Sequence, residues 1–590
     1  MVCLVCSHSQ LAYLALLYRK HERLAKVSAG SYTRRYMEDF KKKLQDSSFE
    51  GEVLDDLETR VFYSHDASLF EVLPELIVAP KDAKAVEALV KLVAENKKTI
   101  PGLSLTGRSA GTDMAGGAIN DSIIVDFTKN INKIVSVTSE RAVVQPGMYY
   151  RDFEVETLKK GALMPSYPAS RDMAAIGGIV NNNSGGEKSL EYGKTADWVA
   201  GLKVVFADGI EREVRPLDRK ALDKKMAQKD FEGKVYREIY ELIEAHYDAI
   251  KAAKPKVSKN SMGYGIWDVW DRETGVFDLT QLITGSEGTL GLTTEVEFKL
   301  TPKRAHSGLL VFFLSDINKL GDVINTVLEH KPATFEGFDD QTMILFFKLM
   351  PSLLRQMGAP AFLRLMINMI PQGFMVLRGY PKFIMMVEFN GETTQEVKDK
   401  IHALRLSLDL KRRQYNITAY EEDGTEAKSE KFWLMRRKSF QLLRSKVKDK
   451  HTAPFIDDFV VPPKYLPEFL PRLQKIIRKY KLFATIAGHM GDGNFHVIPL
   501  MEIEKKSERD KILPAMKEVN KLVLQYGGSL SGEHNDGMVR GPWLEEQFGT
   551  EILEVFRKAK AIMDPDGIFN PHKKANADWD FSYSHIRDHF

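Results

Sequence analysis

Cysteine is almost missing from this chain: Cys3 and Cys6 are the only two in 590 residues, both at the extreme N-terminus. Two such residues cannot build a disulfide scaffold, an iron–sulfur cluster or a thiolate zinc site. Chemistry must therefore rest on histidine, carboxylates, arginine and a bound cofactor. An excess of one charge is missing too. A net charge of +3 from 84 basic and 81 acidic residues leaves no strongly basic region of the kind nucleic-acid binders carry. No apolar run is long enough to span a bilayer. The stretch Leu11–Tyr18 is short, and Arg19, Lys20 and Arg23 follow it rather than precede it, unlike a secretory signal. It reads as an amphipathic helix, with a targeting role left open. No G-x-G-x-x-G stands between a strand and a helix near the start, which disfavours a Rossmann dinucleotide site.

What is present is enough apolar material, 43% of residues, to bury a large core in two or more domains. After a charged helical lead-in, short β runs alternate with helical segments. Leu76–Pro80 reads as a strand, and residues 84–95 as a helix with Val86, Leu89, Val90 and Val93 on one face. Further strands are expected at 103–105, 122–127, 134–137 and 142–145. Glycine-rich loops punctuate this α+β order at Gly107–Gly117, Ile176–Gly186 and Gly285–Gly291. Such loops let backbone N–H groups converge on an anion at close range.

Two histidine turns stand near the C-terminus, Gly488-His489-Met490-Gly491-Asp492-Gly493-Asn494-Phe495-His496 and Gly532-Glu533-His534-Asn535-Asp536-Gly537. Gly493 and Asn494 tolerate the positive φ of a hairpin turn, so His489 and His496 are expected side by side on paired strands. With the Glu533 carboxylate they would form a three-ligand metal site with room for substrate, and His534 beside it could accept a proton. Spacing alone leaves the ordinary reading open as well, since fourteen histidines can fall near glycines by chance.

The three glycine clusters, the two histidine turns and Met563-Asp564-Pro565-Asp566-Gly567-Ile568-Phe569-Asn570-Pro571, in this order, resemble the FAD-linked oxidases and dehydrogenases of the vanillyl-alcohol oxidase type. Within that family the chain is most similar to D-2-hydroxy-acid dehydrogenases. The resemblance covers roughly residues 60–575. It implies an α+β fold: a PCMH-type FAD-binding domain of two α+β subdomains (60–302) and an α+β substrate, or cap, domain with an antiparallel sheet (303–550). A helical lead-in (1–59), a segment returning to FAD (551–575) and a tail (576–590) complete it. Gly107, Arg108, Ser109, Ala110, Gly111, Thr112 and Gly116 would hold the pyrophosphate. Pro168, Ser170, Gly177, Gly178, Asn183, Ser184 and Gly185 would line the cofactor, with Glu287, Gly288 and Asn570 nearby. Ser109 replaces a usual glycine. No His or Cys stands in the loop, so the FAD is expected to be non-covalent.

The same resemblance makes His489, His496 and Glu533 ligands of zinc or manganese, and His534 the base that takes the hydroxyl proton while hydride passes to the flavin. Asn535 stands where the family usually has glycine; asparagine also tolerates left-handed backbone. Arg436, in Trp433-Leu434-Met435-Arg436, would bind the substrate carboxylate through its planar fork, or be one more solvated arginine. Tyr264, in Lys259-Asn260-Ser261-Met262-Gly263-Tyr264, would donate to substrate or simply pack. Asp457-Asp458-Phe459-Val460-Val461-Pro462 is similar to a family strand, with Ile456 where some dicarboxylate-specific members place lysine. That disfavours a second substrate carboxylate.

Residues 341–387 hold no Asp or Glu, where the chain average gives about six, and they hold eight of the 22 methionines. Pro351, Pro360, Pro371 and Pro381 break the run, so it cannot be a spanning helix. An interfacial anchor with basic edges and an insertion packed on the substrate domain both fit. The expectation is thus a D-lactate-like 2-hydroxy acid oxidised to the 2-oxo acid, with electrons passed to a quinone or a carrier protein. The location would be cytoplasmic, with peripheral contact at the inner face of the cytoplasmic membrane. The alternative is a flavin-dependent alkyl-transfer synthase of ether lipids, which shares the fold but does not resemble this chain at the His-x6-His turn.

Overall fold

The computed structural model describes residues 31–342, 381–423, 432–433, 436 and 450–588. Its first sheet is built from β1 (Gly51–Leu54), β2 (Leu76–Pro80), β3 (Leu105–Arg108) and β4 (Ile123–Asp126), in the order β1-β2-β4-β3. The pairs β2/β4 and β3/β4 are parallel, and every residue of β2 and β4 is buried, as the unbroken apolar character of both strands requires. Helix α1 (Ala83–Asn96) starts where the Asp82 carboxylate accepts from the Ala85 N–H, an N-cap. It buries Val86, Leu89, Val90 and Val93 as expected. The lead-in is not separate from this subdomain. β1 forms its edge, and Met37, Phe40 and Leu44, spaced to share one helix face, join the core of Leu89 and Val93. The strand expected at 103–105 lies two residues later, because its pairing with β4 runs from Leu105 to Arg108.

The second sheet is antiparallel: β5 (Ile134–Val137), β6 (Arg141–Val144), β7 (Val199–Val205), β8 (Glu211–Val214) and β9 (Leu292–Lys299), ordered β5-β6-β9-β7-β8. Together the two sheets are the pair of α+β subdomains expected. A short helix α2 (Ile176–Asn181) carries the second glycine cluster.

Among the described residues, the substrate domain forms an antiparallel eight-stranded sheet. Its strands are β10 (His306–Leu314), β11 (Thr334–Asp339), β12 (Phe383–Gly391), β13 (Ile417–Asp423), β14 (His451–Thr452), β15 (Phe459–Val460), β16 (Phe483–His489) and β17 (Asn494–Met501). The order is β13-β10-β12-β11-β16-β17-β14, with β15 also on β17. This puts β11 against the histidine hairpin, with Glu336 opposite His489. Helix α3 (Thr394–Leu410) covers β10 and β12. After α4 (Leu544–Met563) the chain returns to the first sheet, where the Leu105 N–H donates to Ile568 O (2.7 Å) and the Asn570 N–H to Leu105 O (2.8 Å). The tail packs back as well: the Arg587 N–H donates to Leu69 O at 2.9 Å.

Of the acid-free stretch 341–387, residues 343–380 lie outside the described residues, so its expected membrane contact has no structural counterpart here. Its last five residues, 383–387, are instead a central strand of the sheet, all buried. Leu11–Tyr18 is also outside the described residues. No helix among the described residues is long and apolar enough to cross a membrane.

Candidate active site

The histidine turn folds as a hairpin whose connection is a single 3-10 turn, Met490–Asp492, closed by Gly493 at φ 64°. A Cβ there would stand 2.0 Å from Val461 O, so glycine is required by both backbone and space. Asn494 does not share the positive φ expected of it. It begins β17, and its carboxamide donates to Asp458 Oδ1 (3.0 Å) and Phe459 O (3.2 Å). Pairing His489 with Asn494 and Ala487 with His496 turns both imidazoles to one face, because strand side chains alternate. Their ring centroids are 5.3 Å apart. Glu533 comes from the loop opposite; its Oε1 lies 3.0 Å from His489 Nε2 and 3.3 Å from His496 Nε2.

Each imidazole is held from behind. Glu336 Oε1 takes the His489 Nδ1 hydrogen bond at 2.5 Å. Asp457 takes two, from His496 Nδ1 (3.1 Å) and His534 Nδ1 (2.8 Å). Carboxylates on Nδ1 fix ring orientation and leave each Nε2 turned toward Glu533. Asp458, His496, Glu533 and His534 also offer atoms within 4.8 Å of one another. The Asp458 carboxylate, however, already accepts the N–H groups of Glu533 (3.0 Å) and His534 (2.7 Å) and the Ser531 hydroxyl (2.6 Å). It braces the turn, which leaves His496, Glu533 and His534 of that group, with His489 Nε2 3.0 Å from Glu533 Oε1 beside them. Asn535, at φ 67°, does more than tolerate the turn: its amide donates to Asn182 O and Gly285 O, tying two glycine clusters together.

The electrostatics favour a cation. Burial works against a charged His489, yet Glu336 and Glu533 hold its pKa above the ordinary value. Burial likewise opposes charge on His496, but Asp457 and Glu533 raise it to about 10. The same carboxylates would attract a divalent ion, which would have to displace those protons, since imidazole binds metal deprotonated. Burial alone would push Glu533 upward; His489 and Lys259 hold it well below the usual carboxylate range.

A cavity, open at its mouth, connects this cluster with the glycine loops. Of the residues expected around the cofactor, Gly107 to Thr112, Pro168, Ser170, Gly177, Gly178, Ser184, Gly185, Glu287 and Gly288 line it, as do Arg436, His496, Glu533 and His534. Gly116, Asn183 and Asn570 stand behind the lining. Asn570 accepts from Thr106 Oγ1 (2.8 Å) and donates to Gly117 O (2.8 Å) and Glu287 O (2.6 Å), binding the first and third clusters together. Arg108 directs its guanidinium to the carbonyls of Tyr63, His65 and Ala118, so it shapes the loop. Apolar walls from Phe127, Pro146, Ile179 and Leu292 beside glycine-loop amides suit a flat ring system joined to an anionic linkage, which is how FAD is composed. A Cβ at Gly177 would come within 2.6 Å of Pro146 Cβ and 2.8 Å of Ser109 Oγ. We expect Gly177→Ala to cost about 1–3 kcal/mol through overpacking and to release flavin on dilution, read by gel filtration and the visible spectrum.

Tyr264 does not reach the cavity. It is buried against Phe556 with its hydroxyl 2.7 Å from Thr289 Oγ1, and burial raises its pKa far above the ordinary value; it packs. Arg436 is buried at the cavity wall, its Nη2 3.2 Å from Glu336 Oε2. Residues to which sequence reasoning gave no role are Glu336, Asp457, Asp458, Lys194, Lys259 and Asp113. An acid inside the apolar Phe335-Glu336-Gly337-Phe338 was the one visible signal for Glu336. Asp113 lines the cavity and accepts from the Ala115 N–H at 3.1 Å; burial and Asp66 push its carboxyl up to about 6. Burial pushes Glu287 up to about 8 against the pull of Lys574.

The FAD binding domain family model matches residues 74–215, and the FAD linked oxidases C-terminal domain model matches residues 303–574. The chain belongs to the FAD-linked oxidase family with a PCMH-type FAD domain, close to its D-2-hydroxy-acid dehydrogenase branch. It is 28% identical over 554 residues to a D-2-hydroxyglutarate dehydrogenase of Pseudomonas putida, covering 93% of this chain and 53% of that protein. It is 27% identical over 522 residues to glycolate oxidase subunit GlcD of Bacillus subtilis, covering 87% and 92%. The chain spans about half the length of the D-2-hydroxyglutarate dehydrogenases of Pseudomonas putida, Pantoea ananatis and Escherichia coli, and 96% of that of Stutzerimonas stutzeri. In fold it is similar to an alkyldihydroxyacetonephosphate synthase, with a TM-score of 0.60 at 16% identity, covering 90% of this chain and 84% of that one.

Proposed function

We propose that this chain is a dehydrogenase that oxidises a small D-2-hydroxy acid, D-lactate-like, to the 2-oxo acid with FAD and a divalent ion, zinc or manganese. The observation that carries the reading is that His496, Glu533 and His534 line the same cavity as the glycine loops, with His489 Nε2 behind them 3.0 Å from Glu533 Oε1. Bound FAD supplies the acceptor for the hydride leaving the α-carbon. An ion held by His489, His496 and Glu533 supplies Lewis acidity that eases ionisation of the α-hydroxyl.

The chain's own groups do the rest. His534, the imidazole with the most exposed side chain of the three (17%, against 3% for His489 and His496), accepts the hydroxyl proton at Nε2. Asp457 on its Nδ1 keeps the ring oriented and stabilises the positive charge it gains. Arg436 orients the substrate carboxylate, with Glu336 steadying the guanidinium from the side of His489. The glycine loops and the apolar wall exclude water from the reacting carbon. Electrons then pass to a quinone or a carrier protein. Peripheral contact with the inner face of the cytoplasmic membrane through the part of 341–387 that lies outside the described residues, 343–380, belongs to this proposal; unchanged flotation with anionic liposomes after deletion of 345–380 would reject it.

The fold likeness to an alkyl-transfer synthase leaves that second reaction class to be tested. Anaerobic mixing of the flavin-loaded protein with a panel of D- and L-2-hydroxy acids separates the two. D-lactate or a close analogue should bleach the flavin and the L-series should not. Bleaching by no member of the panel would favour the synthase.

A further inference from the structure

The backbone of the Glu533 turn is fixed from two sides. Asp458 accepts the N–H groups of Glu533 and His534, and Lys194 donates to Gly532 O at 2.8 Å. What remains free is the Glu533 side chain, and a buried lysine meets it. Lys259 is 1% exposed. Its Nζ donates to Glu533 Oε2 (3.2 Å) and Gly186 O (3.2 Å) and lies 3.3 Å from Asp492 Oδ2. Two of its hydrogens are thus engaged, and the Asp492 carboxylate adds an ion pair. The two oxygens of Glu533 are thereby divided: Oε1 faces the imidazoles, and Oε2 faces a cation. Gly185 keeps the arrangement open, since a Cβ there would stand 3.2 Å from Oε2.

We infer that Lys259 is a positioning residue that holds Glu533 to one-oxygen ligation and keeps the ion weakly neutralised. The inference rests on the metal reading proposed above. An ammonium beside the ligating carboxylate opposes its swinging to offer both oxygens. It also draws electron density from the carboxylate and repels a second cation nearby. All three effects loosen the hold on the ion while leaving it the more acidic toward a bound hydroxyl. A lysine that merely packs or braces would act in the opposite sense, because losing a brace weakens metal binding.

The test is cobalt(II) titration of the FAD-loaded full chain, read by the visible d–d bands and by equilibrium dialysis. The variants are Lys259→Met, Lys259→Gln and Lys259→Arg, with His489→Ala as control. Both neutral variants should bind cobalt tighter by about tenfold or more. Their d–d bands should be weaker, as higher coordination gives, and flavin reduction slower. Lys259→Arg should keep the wild-type affinity and spectrum. Lys259→Gln retains amide donors, so it carries the test if Lys259→Met fails to fold. Unchanged or weaker affinity in the neutral variants, with cobalt still bound by wild type, overturns the inference alone. No cobalt on wild type, or as much on His489→Ala, overturns the metal reading and the inference with it.

Discussion

His534→Ala slows flavin reduction by about 10²–10⁴-fold while the FAD and the ion stay bound, the loss expected when a positioned general base is removed. The geometry sets this outcome apart from that of its neighbours. His489 and His496 are buried with Nε2 on Glu533, so removing either takes away one of the three proposed donors. His534 keeps its Nε2 3.8 Å from Glu533 Oε1, lines the cavity and stacks on His496 with centroids 4.9 Å apart. Its loss leaves the donors in place. Asp457→Asn should behave differently again, since that carboxylate orients both His496 and His534; reduction and metal retention should fall together. Stopped-flow bleaching with metal analysis on the same samples separates the three cases. Wild-type rates in His534→Ala would remove it from the mechanism.

Asp458→Ala is the largest expected loss of stability. This fully buried carboxylate accepts from Ser531 Oγ, from the Glu533 and His534 amides and from Asn494 Nδ2. Burial would raise its pKa, but His534 and Arg540 hold it below the ordinary value. Alanine leaves those donors unpaired, at about 1–3 kcal/mol each for buried groups. It must also adopt φ 70°, which asparagine tolerates and alanine does not. We expect a destabilisation of at least about 4 kcal/mol for alanine and clearly less for asparagine, read from melting of the substrate domain. Wild-type melting with metal lost would instead make Asp458 a ligand.

The parts of the site that were legible in the sequence are those whose geometry is local. His489 and His496 meet because seven residues of hairpin bring them together, and Gly493 marks the turn. The glycine clusters pointed to loops whose backbone N–H groups converge on an anion, because glycine permits both close approach and positive φ. What stayed hidden depends on sheet order and long-range docking. Glu336 lies 153 residues before His489, and only the placement of β11 beside β16 brings them together. Lys259 reaches Glu533 across 274 residues from a loop with no periodicity to betray it. Tyr264 carried no signal to tell a packing ring from a donor. The N-terminal boundary fell too late because Met37, Phe40 and Leu44 form a short apolar stripe within a charged helix.

The most direct measurement is anaerobic flavin bleaching by D-lactate in one preparation, before chelation, after chelation, and after the ion is restored. The account predicts one ion per chain and a fall of about a hundredfold or more on its removal, as a Lewis acid worth several kcal/mol requires. Flavin should remain bound throughout, and the rate should recover with zinc or manganese. Bleaching at full rate in protein shown by elemental analysis to hold no metal would contradict it.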